Sequence, residues 1–340
     1  MKGKQSIRAF KPYKPNTQTA SLILDANESP NYLFDASEKI NLKDINRYPD
    51  NDATPLKEAL AKRFHVDADS LIIGAGSSEL IELVIKTFVE PFGKVLSFDP
   101  SFSMFHVYTA MHNAEYVTVP LKPPFDVNIN DLMQAAKANN PDLIIVCNPN
   151  NPTGSLIKKS DIMRLLNATE APILLDEAYM DFTDELESCF QEVTSLKRLM
   201  VTRTFSKAYG LAGARVGYLR ANEALIRLLK HVKTPYNMNR LSMHLAVQAL
   251  NRSKKAREFI NGVQTRRERL IEDLRACGIT VYEAHGNFVF VKSRETLGKD
   301  LLKLGVRIRD FASYEKGFYR ITVGTEVENR QLMNALKEVL

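Results

Sequence analysis

The chain has 340 residues, 44% apolar and 25% charged, with 46 basic residues against 40 acidic for a net charge of +6. That length exceeds one ordinary domain and predicts two, and so small a positive surplus implies no nucleic acid by itself, while it suits an anionic small molecule. Cys147, Cys189 and Cys277 lack paired spacing, the histidines are scattered, the start "MKGKQSIRAFKPYKPN" has no apolar signal region, and no run approaches about 18 apolar residues, so the expectation is a cytoplasmic protein without disulfides, metal centre or membrane span.

In chain order, "TPLKEALAKRF" is predicted as a helix with proline near its start, and "SLII" as a short strand. A glycine turn leads into the helix "SSELIELVIKTF". Next come the strand "KVLSF", a helix near 103–112, the strand "AEYVTV" and the helix "INDLMQAAKAN". The apolar strand "DLIIVC", the helix "KSDIMRLLN" and the strand "PILLD" follow, and "RLMVTRT" runs into a lysine-bearing loop. Short apolar strands alternating with helices predict an α/β fold, a mostly parallel central sheet flanked by helices, with ligands beyond the carboxyl ends of its strands.

After residue 220 the pattern changes. Helices near 222–233 and 238–250, a long charged helix within 254–278, the strands "NFVFVK", "VRIRDF" and "FYRITVG", and helices near 296–304 and at the end predict a smaller α+β domain. The expected division is an arm over 1–30, a large domain over 31–225 and a small one over 226–340. Glutamates interspersed among the arginines of the long helix favour a solvated face over a nucleic-acid surface.

Four loops carry chemistry. "TFSKAYGLAGARVGY" sets Lys207 among hydroxyls and glycines, with Arg215 eight positions on. A surface turn has this composition too, but so does a loop that holds an anion while its lysine attacks a carbonyl. "GAGSSELIEL" has Glu79 where a dinucleotide fingerprint would have its third glycine, which leaves a helix start at Ser77 and Ser78, either ordinary capping or a phosphate cradle. In "VCNPNNPTG" two prolines flank Asn151, and in "PILLDEAYMDF" a buried strand ends at Asp176, three residues before Tyr179. A buried carboxylate needs a donor, from a structural ion pair or from a protonated ring nitrogen. Taken together these loops describe a ligand with an aldehyde, a phosphate, a phenolic oxygen and a pyridinium nitrogen, which is pyridoxal 5'-phosphate.

With "LDANESP", "NRYPD", "DPSF" and "YRITVGT" in the same order, the chain resembles the fold-type I pyridoxal-phosphate-dependent aminotransferases, and among them the histidinol-phosphate aminotransferase family, over nearly its whole length. The resemblance implies that Lys207 binds the cofactor aldehyde and shuttles a proton, and that Asp176 keeps the ring nitrogen protonated. Asn151 and Tyr179 would bond the ring oxygen. Phe102 would stack on the ring, where relatives commonly have tyrosine. The amides of Ser77 and Ser78 (relatives often have an acidic residue at the latter), the Ser206 hydroxyl, Arg215 and neighbouring Thr204 would hold the phosphate. Tyr48 would reach the cofactor phosphate of a partner subunit, and Arg309 and Arg320, helped by Tyr13, would clamp the substrate's anionic end. The alternative for Arg309 is a pairing with Asp310 or another surface carboxylate that contributes little. The implied activity joins an amino donor and a 2-oxo acid, histidinol phosphate and 2-oxoglutarate giving imidazole acetol phosphate and glutamate, in a homodimer with shared active sites. Aromatic or other amino-acid transamination and threonine-phosphate decarboxylation are the alternatives.

Overall fold

The computed structural model describes residues 7, 17–35, 37–39 and 42–340. Its strands are β1 (Leu22–Leu24), β2 (Leu71–Gly74), β3 (Lys94–Asp99), β4 (Glu115–Pro120), β5 (Leu143–Cys147), β6 (Ile173–Asp176), β7 (Leu199–Thr204), β8 (Gly217–Ala221), β9 (Thr280–Val281), β10 (Phe288–Lys292), β11 (Val306–Asp310) and β12 (Phe318–Thr322). The helices are α1 (Thr54–Phe64), α2 (Ser77–Phe88), α3 (Met104–Met111), α4 (Ile129–Asn139), α5 (Lys159–Ala168), α6 (Glu223–Val232), α7 (Arg240–Asn251), α8 (Ser253–Ala276), α9 (Leu297–Lys303) and α10 (Glu326–Val339). No described helix is long and apolar enough to cross a membrane.

Seven strands form the central sheet in the order β2-β8-β7-β6-β5-β3-β4. From β4 to β7 neighbouring strands run parallel. Successive side chains point to opposite faces of a strand, and the core divides accordingly. Ile145, Leu174, Met200 and Leu219 pack with Leu80, Ile81 and Val84 of α2 and Leu225 and Leu229 of α6. Ile144, Val146, Leu175 and Val201 pack on the other face with residues of α1, α4 and α5 such as Leu60, Leu132 and Leu165. The near-continuous apolar runs reflect this two-sided burial.

Three strands are missing from the sequence reading: β1, β8 and the two-residue β9. Gly217 and Tyr218 close the quoted lysine stretch, yet Gly217–Ala221 form β8, antiparallel to both β2 and β7. Its Tyr218 and Leu219 enter opposite core faces, and Gly217 and the buried Arg220 interrupt the apolar run that would have marked it. Residues 22–24, read only as part of an arm, pair in parallel with β11, Leu22 opposite Val306 and Leu24 opposite Ile308. They form one edge of a second sheet, ordered β1-β11-β12-β10-β9. Helix α8 is also less solvated than its composition implies. Arg267 is buried and donates to the carbonyls of Phe182 (3.1 Å) and Gly286 (2.8 Å), joining the helix to both halves of the chain.

Candidate active site

The parallel strands bring their carboxyl ends to one edge of the sheet. Cys147 of β5 lies opposite Asp176 of β6, and Asp176 opposite Thr202 of β7. The loops after these strands, the start of α2 and the segment around residue 26 enclose a cavity of about 370 Å³ whose lining includes Lys207, Asp176, Tyr179, Asn151, Phe102 and Arg215. Ser77, Ser78, Thr204 and Ser206 line it too. The sequence-predicted cofactor residues therefore share one cavity, apart from Tyr48.

At the floor, Asp176 is buried, and burial pushes its carboxyl up to about 7 against the opposing backbone N–H of Ala178. Its Oδ1 has no hydrogen-bond partner among the described residues. A buried acceptor left alone is costly, so a ligand donor such as a ring N–H fits this position. Lys207 Nζ donates to the Ala26 carbonyl at 2.8 Å. Burial, then the Arg320 guanidinium, pushes its ammonium down to about 7 against the pull of Glu28. Near-neutral pH then leaves much of this amine unprotonated and nucleophilic.

Tyr179 is buried, and burial raises its phenol to about 12, so the O–H stays protonated. Its oxygen accepts from Asn27 Nδ2 at 3.1 Å, which leaves its own proton for a ligand oxygen. Asn27 is in turn held by Thr322 Oγ1, accepting from its N–H at 3.0 Å, and by Asn287, whose Nδ2 donates to its carbonyl at 3.0 Å. The reading of "LDANESP" gave Asn27 no role; the motif marked the place, but its partners lie far along the chain. Asn151 Oδ1 accepts from Arg320 Nη1. The turn around it is braced by Asn148, bonded both ways to Ile157 at 2.8 and 2.9 Å, and by Asn150, bonded to Pro100 and Thr153, as well as by the prolines.

The opposite end of the cavity is built for an anion. The first-turn amides of α2 have no intrahelical acceptors and carry the positive end of the helix dipole. Glu79, in the place of the third fingerprint glycine, reaches back to accept from the Ala75 N–H and from Asn237 Nδ2. Arg215 donates to Ser206 Oγ at 3.3 Å, and Ser206 Oγ also bonds Thr204 Oγ1 at 3.0 Å. A Cβ on Gly76 would lie 2.5 Å from Arg215 Nη2, and one on Gly217 would lie 2.4 Å from the Ser77 nitrogen. Two glycines thus let the guanidinium and the strand come this close to the amides.

This cavity opens into a larger one of about 730 Å³, lined also by Arg307, Arg309 and Arg320. Arg309 and Arg320 face each other across β11 and β12. Arg320 is buried and its Nη2 donates to the Asp25 carbonyl at 2.7 Å. Arg309 makes no ion pair with Asp310, which instead accepts from the Ala312 N–H at 2.7 Å. Arg307, absent from the sequence reading, joins these two. Tyr48 lies outside both linings, 79% exposed and stacked on Tyr236 at 4.7 Å. Tyr13 falls outside the described residues.

A parallel sheet, a lysine and an orphaned acid beneath one cavity, and a helix start facing an arginine define a class of group-transfer enzyme, and the chain belongs to the aminotransferase class I and II family, whose pattern it matches over residues 23–336. It is 35% identical to the histidinol-phosphate aminotransferase of Caldanaerobacter subterraneus subsp. tengcongensis, covering 99% of this chain and 98% of the relative. Its fold is similar to the histidinol-phosphate aminotransferase of Sinorhizobium meliloti in complex with pyridoxal-5'-phosphate, with a TM-score of 0.87, 23% identity, and coverage of 99% of this chain and 97% of that one. The corresponding enzyme of Clostridium acetobutylicum superposes with a TM-score of 0.84 at 26% identity, over 94% of this chain and 98% of its own.

Proposed function

We propose that the chain binds pyridoxal 5'-phosphate and transfers the amino group of histidinol phosphate to 2-oxoglutarate, yielding imidazole acetol phosphate and glutamate. The observation that carries this is the joining of two cavities: Lys207 and the orphaned Asp176 oxygen in one open directly toward the cross-strand pair Arg309 and Arg320 in the other. The names of the curated relatives support the substrate.

Bound, the cofactor supplies a covalent anchor for the amine and an electron sink that lets the proton on the amine-bearing carbon leave. The residues of this chain supply the rest. Asp176 would accept from the ring nitrogen and keep its proton in place. Asn151 and Tyr179 would donate to the ring oxygen, and Phe102 would pack against the ring. The amides of Ser77 and Ser78, with Ser206 and Arg215, would bind the phosphate. Lys207, with its amine poised near neutral pH, would hold and move the proton that leaves the substrate carbon. Arg309 and Arg320 orient the substrate by its anionic end, since their planar forks match a phosphate or a carboxylate. Histidinol phosphate has a phosphorylated CH₂OH arm where glutamate has its α-carboxylate, so one clamp serves both half-reactions.

The protein is read as a homodimer in which Tyr48 reaches the partner's cofactor phosphate, with 31–225 as the cofactor domain and 226–340 as the small domain. Supporting the dimer, Leu42, Ile45, Tyr48 and Tyr236 are 60%, 52%, 79% and 48% exposed, an apolar surface suited to covering.

Borohydride reduction of the loaded protein followed by peptide mapping is expected to label Lys207; a label on another lysine refutes the assignment. Amino-donor profiling with 2-oxoglutarate tests the substrate. Histidinol phosphate should exceed phenylalanine and tyrosine, and threonine phosphate should release no CO₂. A preference for phenylalanine would make the protein an aromatic aminotransferase, and CO₂ release would make it a decarboxylase.

A further inference from the structure

Arg307 and Arg309 lie two residues apart on β11, so their side chains leave the same face of the sheet. Arg320 is the cross-strand partner of Arg309, and all three line the larger cavity together with Asp25 and Lys207. Arg309 and Arg320 already have a role as the substrate clamp; Arg307 has none. Its Nε lies 2.8 Å from Asp25 Oδ2 in an ion pair whose angle makes no hydrogen bond, and its Nη1 donates to the Gln18 carbonyl at 2.7 Å. Asp25 also presents its backbone carbonyl to Arg320 Nη2 at 2.7 Å. One buried acid thus steadies two of the three arginines, through different atoms.

The charges are informative. Arg215, Arg307, Arg309 and Arg320 against the Asp25 and Glu28 carboxylates leave the lining of this cavity with a surplus of two positive charges before Lys207 is counted. A phosphate monoester carries about two negative charges near neutral pH, whereas an amino acid's α-carboxylate carries one. A single carboxylate is satisfied by the Arg309 and Arg320 pair. A phosphate has one more charge and one more oxygen to place.

We propose that Arg307 is a substrate-binding residue that distinguishes a phosphate-bearing donor from a plain amino acid, supplying a third guanidinium contact that Asp25 restrains until a dianion enters. The proposal rests on the reading that the amino donor carries a phosphate monoester. Asp25 is then a positioning residue whose charge tunes the selectivity, because its carboxylate competes with the substrate phosphate for the same guanidinium.

The test is steady-state kinetics of the loaded enzyme with histidinol phosphate and with phenylalanine as donors. Arg307→Gln is expected to raise KM for histidinol phosphate and to lower the ratio of the two kcat/KM values, phosphate donor over phenylalanine, by about 10- to 100-fold, the scale of one charge-assisted hydrogen bond. Arg307→Lys keeps the charge and loses the fork, so its ratio should fall between those of the parent and the Gln variant. Asp25→Asn should move the ratio the other way, because the competitor is gone while the backbone carbonyl still holds Arg320. If the Arg307–Asp25 pair merely fastens β1 to β11, Arg307→Gln and Asp25→Asn would both lower the melting temperature and impair both donors equally; that result overturns the proposal. A wild-type enzyme that prefers phenylalanine overturns the phosphate reading itself and this inference with it. A wild-type preference for histidinol phosphate that survives in Arg307→Gln removes the inference alone.

Discussion

Asp176 and Lys207 both occupy the cavity at a cost, and pH shows it. The Asp176 carboxyl is raised from 3.8 to about 7 by burial, so its favourable contribution is complete below 3.8 and lost as pH rises through 7. The Lys207 amine is lowered from 10.5 to about 7, so its contribution is complete above 10.5 and lost as pH falls through 7. In the cofactor-free protein the contributions of these two groups are together at their smallest near pH 7. In the proposed complex, loading would give the carboxylate a donor and consume the amine, so the gap in melting temperature between loaded and cofactor-free protein should be widest there. A gap that is flat from pH 5 to 9 would contradict this account. Asp176→Asn removes the buried charge, and at pH 8 the cofactor-free variant should gain about 1–3 kcal/mol over the parent by thermal melting. The same change should reduce kcat by at least about 100-fold, since an amide cannot keep the ring nitrogen protonated. At the other end of the cavity, Arg320→Lys should cost about 10- to 150-fold in kcat/KM, because an ammonium cannot hold the Asn151 oxygen, the Asp25 carbonyl and a substrate anion together.

At the level of elements, the anion cradle depends on β8 passing within touching distance of the start of α2. Gly217→Ala would place a methyl 2.4 Å from the Ser77 nitrogen, so strand or helix must move. The expected result is a loss of about 1–3 kcal/mol in stability, with cofactor affinity, read by equilibrium dialysis, weakened by at least about tenfold. The same strand shows where the sequence was hard to read. The start of α2 and the ends of β5, β6 and β7 were legible because apolar runs stop abruptly at Gly74, Asn148, Asp176 and Thr202, and Ser77, Asn151, Asp176 and Lys207 follow at those stops or within five residues of them. β8 was not, because Gly217 and the buried Arg220 interrupt its apolar run. β1 was too short for any period to show. Asn27 escaped for another reason: its partners Tyr179 and Thr322 lie 152 and 295 residues away, and no local pattern reports a contact of that span.

For the whole molecule, the proposed dimer makes a sharp prediction. Lys207→Ala subunits and Tyr48→Ala subunits should each be nearly inactive, yet a mixture allowed to exchange should recover roughly a quarter of parental activity at equal amounts, because random pairing leaves one of four sites with both residues intact. Exchange without recovery would mean that each site is complete within one chain. Assembly of a single chain has its own order in time. Leu22 pairs beside Val306, and Ser21 bonds the Gly305 carbonyl 284 positions later. At a synthesis rate of about 5–20 residues per second, the strand that begins the second sheet waits roughly 15–60 s for its neighbour to be made. Ser29 and Tyr32, which grip the carbonyls of Lys207 and Ala208, belong to that same early segment. On the ribosome, therefore, the residues that close the pocket emerge well before the strand and the loop they hold.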